Sequence, residues 1–332
     1  MTTAINLQAH KLGRTGPEVF PIALGCMGMS GVYGAADENE SVATIHAALD
    51  AGVNLIDTGD FYGMGHNEML VGRALRFVRE QALLSVKFGA QRGPDGSWIG
   101  YDARPAAVKT FLAYSLKRLG VEYIDIYRPA RLDPQVPIEE TVGAIAEMIT
   151  AGYVRHIGLS EVGPETMRRA AKVHPIVDLQ IEYSLVSRGP EAKILPAVDE
   201  LGIGVTAYGV LSRGLLSNSP IAGARDARNH FPRFKSENRE RNQQLVGKLR
   251  ELAAVRGITQ SQLAIAWVLA KNKSIVPVMG ARTRAQLAET LGALEVKLTT
   301  DEMAAIEKAI PANAVAGTRY DPSQMRVLDS EK

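Results

Sequence analysis

The chain has 332 residues, 46% hydrophobic and 22% charged, with a net charge of +2 and one cysteine. These values describe a globular protein with a large core; they exclude a disulfide-built scaffold and argue against charge-driven binding to nucleic acid or an anionic membrane. No apolar run reaches membrane-spanning length, and residues 1–6 lack the basic and apolar parts of a signal peptide, so a soluble, cytoplasmic protein of enzyme size is expected.

Residues 8–22 predict a hairpin around Gly13-Arg-Thr-Gly-Pro17. An alternation of short apolar runs and helical periodicity follows. Strand 22–24 leads to helix 40–51, strand 53–56 to helix 67–79, and strand 83–86 through a Gly-rich loop to helix 104–119, where Pro105 suits a first turn. Strand 123–127 precedes helix 138–151, strand 154–159 precedes helix 163–173, and strand 176–181 precedes helix 190–201. Strand 204–207 is followed by a long loop, 208–235, and helices 236–256 and 259–271. The eighth strand is 274–278, with helices 283–293 and 300–309 after it. Eight such units without a repeat, linker or break predict one α/β domain over 1–332. The expected fold is a (β/α)8 TIM barrel with an N-terminal β-hairpin and extra C-terminal helices. The competing doubly wound sheet usually carries G-x-G-x-x-G after its first strand, and Gly25-Cys-Met-Gly-Met-Ser-Gly31 has the wrong spacing. The tail, 311–332, is expected to form a flap over the barrel mouth, with disorder as the alternative.

Chemistry in a barrel of this kind belongs at the strand C-termini. Asp57-Thr-Gly-Asp-Phe-Tyr-Gly63 follows the second strand and Lys87 ends the third, so Asp57, Tyr62 and Lys87 are expected to form one site. A phenol titrates near ~10 and is a poor acid at neutral pH. A neighbouring ammonium lowers that value, and Asp57 can pin Lys87 in place. Tyr62 would then protonate a carbonyl oxygen as it becomes an alkoxide. The alternative is a structural ion pair with Tyr62 a packed loop aromatic, and spacing alone does not separate the two. Leu211-Ser-Arg-Gly-Leu215 after strand seven and Gly280-Ala-Arg-Thr-Arg284 after strand eight are phosphate-binding candidates. The second opens a helix, whose N-terminus attracts anions; solvated arginines on a helix face are the alternative. The histidines show no metal-ligand spacing, so no metal site is expected. Met27, Met29, Phe61, Trp98 and Phe231 are candidates to line an apolar pocket, and 225–234 to clasp a dinucleotide.

As a set, Asp57-Thr-Gly-Asp-Phe-Tyr-Gly63, Lys87, Gly158-Leu-Ser160, Gln180, Ala207-Tyr208, Ser212-Arg-Gly-Leu215 and Gly280-Ala-Arg282 with Gln286 and Glu289 resemble an aldo-keto reductase, in order from about residue 11 to 310. The chain is more similar to the bacterial branch related to potassium-channel β subunits than to the human steroid reductases. Within that branch, Tyr127-Arg-Pro-Ala-Arg131 is similar to the group containing the bacterial reductase of 3-keto-deoxynivalenol. The resemblance implies NADPH bound extended on the barrel, and Asp57, Tyr62 and Lys87 as the catalytic residues. It implies Ser160 and Gln180 on the nicotinamide carboxamide, and Tyr208 under its ring. Ser212, Arg213, Gly214 and Leu215 would hold the pyrophosphate; Gly280, Arg282, Gln286 and Glu289, with Arg284 nearby, would hold the adenosine end.

Three positions depart from the family pattern. Ala130 stands where a histidine is usual, Glu161 where asparagine commonly follows the serine, and Thr290 where asparagine is also common. Arg128, on the same side of its strand as position 130, or a water is the candidate to orient the substrate in place of the histidine; a salt bridge elsewhere is the favoured reading of Arg128. The expected function is NADPH-dependent reduction of a small-molecule aldehyde or ketone. A cofactor-binding regulator with weak catalysis and an aldolase or isomerase using Lys87 as a Schiff base are the other readings. Monomer and homo-oligomer stay equally open.

Overall fold

The computed structural model describes residues 9–332 apart from 220, 222, 224, 225 and 273, and apart from the side chain of residue 236. The expectations for residues 1–8 and for the start of the 225–234 segment lie outside the described residues. Eight parallel strands close into a barrel: β1 (Ala23–Gly25), β2 (Leu55–Gly59), β3 (Leu83–Phe88), β4 (Ile124–Pro129), β5 (Val154–Ser160), β6 (Ile176–Glu182), β7 (Gly204–Tyr208) and β8 (Ile275–Gly280). Closure sets Val278 of β8 opposite Ala23 of β1. The (β/α)8 barrel read from the alternation is the observed fold.

Helices α1 (Glu38–Asp50), α2 (His66–Leu75), α3 (Pro105–Leu119), α4 (Ile138–Thr150), α5 (Pro164–Val173) and α6 (Pro190–Leu201) follow the first six strands. They continue as α7 (Ser236–Val255), α8 (Gln260–Lys271), α9 (Arg284–Gly292), α10 (Thr300–Ala309) and a short α11 (Pro322–Val327). Their ends obey local chemistry. Asp37 accepts the Glu40 N–H at 2.8 Å to start α1, and Thr259 with Gln262 forms a capping box on α8. Gly120 ends α3 at φ +67°, a conformation that favours glycine.

Two apolar bodies result. The larger lies between strands and helices, where the outward residues Ile56, Leu84, Val86, Tyr127 and Leu179 pack. The smaller fills the N-terminal half of the barrel interior with Ala23, Leu55, Ile126, Val276 and Val278, and the hairpin residues Leu12 and Val19 close it from below. With its floor apolar and capped, the polar chemistry of the barrel is confined to the other end. No single described helix is long and apolar enough to cross a membrane.

Candidate active site

Strand alternation turns Asp57, Ser85 and Lys87 inward, and register sets Asp57 beside Ser85. Strand β2 runs to Gly59 and β3 to Phe88, so Asp57 and Lys87 sit within strands rather than at the ends expected from 53–56 and 83–86. Lys87 Nζ donates to Asp57 Oδ1 at 2.5 Å, and each residue is 4% exposed. Asp57 Oδ2 accepts from Ser85 Oγ at 2.9 Å and from Gln180 Nε2 at 2.8 Å. These extra donors are what a desolvated ion pair needs. Tyr62 lies on the turn after β2, buried, with its ring edge-on to Phe61 at 4.8 Å. The turn is anchored from α2, where Asn67 accepts from Thr58 Oγ1 at 2.6 Å and donates to the Cys26 carbonyl at 2.8 Å. Lys87 Nζ stands 5.0 Å from the Tyr62 ring centroid, so ammonium and phenol share one end of the barrel.

Electrostatics correct one expectation. Burial pushes the Tyr62 phenol well above its usual value, Asp57 and Tyr33 push it further, and Arg131 pulls it down. Lys87 does not make the phenol acidic, because its ammonium is hydrogen-bonded to Asp57 and lowered by its own burial. A phenol that keeps its proton at neutral pH is in the right state to act as an acid and the wrong one to act as a base.

Arg128 takes the salt-bridge reading rather than the substrate-orienting one. It faces inward, but no part of it reaches the surface. Its guanidinium spans the barrel to Ser85 Oγ at 2.7 Å, Thr206 Oγ1 at 3.1 Å and Asp178 Oδ2 at 3.0 Å. Gly158 exists for this pair: a Cβ there would collide with Asp178 Oδ1 and press on Arg128 Nε at 3.1 Å. Arg128 is a barrel-filling residue, and the group at the mouth is Arg131. Arg131 Nη1 donates to the Ala130 carbonyl at 2.7 Å and to Ser160 Oγ at 3.4 Å, and Nη2 to the Tyr320 hydroxyl at 3.1 Å.

The tail lies across this end of the barrel. Glu161, fully buried, accepts from Arg319 Nη1 at 2.7 Å and Nη2 at 2.5 Å, from Ser330 Oγ at 2.6 Å and from the Tyr208 hydroxyl at 2.7 Å. Burial alone would raise its carboxyl, but Arg319 overrides it and the value falls to about 2. The Tyr320 hydroxyl lies 2.9 Å from that of Tyr208, and its ring lies 4.6 Å from the Arg213 guanidinium. Asn242 holds both backbone groups of Ala316, at 2.8 and 2.9 Å. Nothing in the sequence pattern singled out Arg319 or Tyr320, and Arg131 entered only as the end of the Tyr127–Arg131 run, with no role assigned; the acid at position 161, needing a cation, was the available signal.

Of the residues the resemblance assigns to a dinucleotide, Ser160, Gln180 and Tyr208 come together around Asp57 and Glu161. Ser212, Arg213, Gly214 and Leu215 form a tight turn after β7, in which Arg213 reaches Glu182 at 3.4 Å and stacks on Phe231 at 4.2 Å. Arg233, within the 225–234 segment expected to clasp a dinucleotide, bonds Glu182, Ser187 and Ser212 Oγ from within the mouth. At the far end Gly280 is exposed, and Gln286 accepts the Arg282 N–H at 2.8 Å. Arg282 holds the Tyr33 carbonyl at 3.1 Å, whereas exposed Arg284 pairs with Glu40 of α1 at 2.9 Å and Glu289 accepts from Thr259. Arg284 and Glu289 are therefore engaged with neighbouring helices rather than turned together. Among the described residues, the non-glycines with positive φ are Met64, Glu161, Ser212 and Arg213, all on loops at this end. Such backbone costs about 1–3 kcal/mol each and gathers at functional sites.

Met27 sits partly buried on the turn after β1, and Phe61 flanks Tyr62. Trp98 lies on a hairpin absent from the sequence reading, Ala90–Arg92 with Trp98–Tyr101, half exposed and edge-on to Tyr101 at 4.8 Å. Among the described residues no group of three or more His, Cys, Asp or Glu is arranged to hold a metal.

Asp60 yields a pH prediction. It joins the turns after β2 and β3 by accepting the Gly89 N–H at 3.1 Å, and its other oxygen has no partner among the described residues. Burial pushes its carboxyl up to about 7, against about 4 in an unfolded chain. Between those values the folded state keeps a proton that the unfolded state has lost, so stability falls as pH rises and levels off above the upper one. Asp60→Asn should abolish that fall. Measured by urea midpoints, the variant should gain on the parent between pH 5 and pH 8; a constant difference would refute the assignment.

The residues matched to the aldo/keto reductase family model are 21–311. The chain belongs to the aldo/keto reductase family. It is 40% identical over 328 residues to the probable aldo-keto reductase 1 of Glycine max, covering 96% of this chain and 93% of that one. Among solved structures it resembles the glycerol dehydrogenase AKR11B4 of Gluconobacter oxydans, with TM-score 0.83, 30% identity and 93% and 97% of the two chains covered. The holo form of the aldo-keto reductase AKR11C1 of Bacillus halodurans matches with TM-score 0.78 and 27% identity, covering 98% and 100%. This aldo-keto reductase is accordingly an oxidoreductase acting on small-molecule carbonyls with a nicotinamide cofactor.

Proposed function

We propose that the protein reduces an aldehyde or ketone to the alcohol with NADPH, Tyr62 giving its proton to the carbonyl oxygen. The observation that carries this reading is the buried Asp57–Lys87 pair, with the phenol of Tyr62 protonated beside it. Lys87 and Asp57 hold the floor of the site and exclude water from it; Tyr62 is the group with a proton to lose. When bound, the reduced nicotinamide supplies the hydride.

The residues present fit that cofactor. Arg213, Arg233 and Arg319 gather at the mouth against the carboxylates Glu161 and Glu182, leaving an excess of positive charge where a diphosphate needs it. Ser160, Gln180 and Tyr208 would hold the nicotinamide, Ser212, Arg213, Gly214 and Leu215 the pyrophosphate, and Gly280, Arg282, Gln286 and Glu289 the adenosine. Arg282, with exposed Arg284 beside it, favours the phosphorylated form. The Schiff-base reading loses ground, since an amine hydrogen-bonded to a carboxylate is a poor nucleophile.

Fluorescence titration with NADPH and NADH, followed by turnover on a panel of aldehydes and ketones, tests the reading. Tighter binding of NADPH with steady turnover is expected. Failure to bind either nucleotide would remove the proposal. Binding with a single burst of oxidation and no turnover would favour a cofactor-sensing regulator instead.

A further inference from the structure

Ala130, at the exit of β4, presents no hydrogen-bonding side chain where one would orient a carbonyl, and the donors around it are nearly all committed. Lys87 and Gln180 donate to Asp57. The Tyr208 hydroxyl donates to Glu161. Arg128 is closed inside the barrel by Asp178, Ser85 and Thr206. His66 bonds Ser30 and Glu38, at the side of the mouth facing α1.

Arg131 is different. Its Nη1 is tied to the chain at the Ala130 carbonyl, which fixes the guanidinium over the exit of β4. Among the described residues its Nη2 is met by one group, the phenolic hydroxyl of Tyr320 at 3.1 Å, contributed by the tail. A neutral oxygen brought by the tail thus fills the place of a neutral oxygen brought by a ligand. Arg131 Nη1 also reaches Ser160 Oγ at 3.4 Å, and the charge of Arg131 pulls the Tyr62 phenol down against burial.

We infer that Arg131 is a catalytic residue: with Tyr320 displaced, its Nη2–H donates to the substrate carbonyl oxygen beside Tyr62, taking over the position left empty at Ala130. The oxygen receives two donors, a phenol that yields its proton and a guanidinium that does not. A fixed cation next to a developing alkoxide is the arrangement that lowers the barrier most when it is preorganised. The guanidinium cannot lose its charge near neutral pH, so it orients and stabilises without competing with Tyr62 as the acid. This inference rests on the reductase reading above.

Arg131→Met should lower kcat/KM on the order of a hundredfold, with the NADPH dissociation constant little changed. Added guanidinium should restore part of the rate in Arg131→Ala, and Ala130→His should restore part of it in Arg131→Met. Should the Met variant not fold, Arg131→Gln, a shorter polar side chain without the charge, is read by the same criteria. A parent that reduces no carbonyl removes this inference together with the reductase reading. A parent that does so, matched by Arg131→Met or unrescued by either restoration, removes Arg131 alone.

Discussion

Replacing Tyr62 by phenylalanine should leave NADPH binding intact and lower carbonyl turnover by a factor on the order of 10² to 10⁴, the range supplied by a positioned acid. The substitution keeps the ring that packs edge-on against Phe61 and lies 5.0 Å from the Lys87 ammonium. What it removes is the one hydroxyl whose proton is held in place by burial and by the charge of Asp57. Stability should be close to that of the parent or slightly higher, since a buried polar atom is lost. The check is a paired measurement: nucleotide titration and single-turnover reduction on the same preparation. Undiminished turnover would take the acid role from Tyr62, and simultaneous loss of nucleotide binding would turn the residue into a structural one.

Arg128→Leu should act on stability. It leaves the Asp178 carboxylate fully buried with Thr206 Oγ1 as its donor at 2.6 Å, and Asp178 Oδ1 already lacks a partner among the described residues. Burial pushes that carboxyl up, and Arg128 is the charge that opposes the push. Removing one member of a buried pair costs about 3–5 kcal/mol, so the urea midpoint should fall steeply. Pairing it with Asp178→Asn should recover much of the loss, because the stranded charge goes with the carboxylate. An Arg128→Leu variant with a parental midpoint and a collapsed kcat would return Arg128 to the reactive pocket.

The barrel was legible because parallel strands buried on both faces read as short apolar runs, and the capped helices between them keep a distinct period. What blurred was the C-terminal edge of each strand. Asp57, Lys87 and Arg128 are polar residues that point into the barrel, and in a sequence they look like the start of a loop. The same alternation placed 128 and 130 inside but says nothing about depth. Arg128 is held within by an aspartate 50 positions later, while Arg131, one residue past the inward position, reaches the mouth. The Ala90–Arg92 and Trp98–Tyr101 hairpin was hidden because its strands are only three and four residues long. Of the proposed site, the Asp57–Lys87 pair and the neighbouring phenol were readable from position and chemistry. The direction in which that phenol titrates was not, because it depends on burial and on Arg131. Glu161 stood out as an odd residue without a partner, and its partner lies too far along the chain for spacing to reveal.

Glu161 and Arg319 are separated by 158 positions. At a synthesis rate of roughly 5–20 residues per second, the carboxylate leaves the ribosome on the order of ten seconds or more before the guanidinium that neutralises it. During that interval the roof is missing, and the acid has to remain hydrated. The upper end of the barrel is thus finished after its apolar floor, which draws on hairpin residues made at the very start.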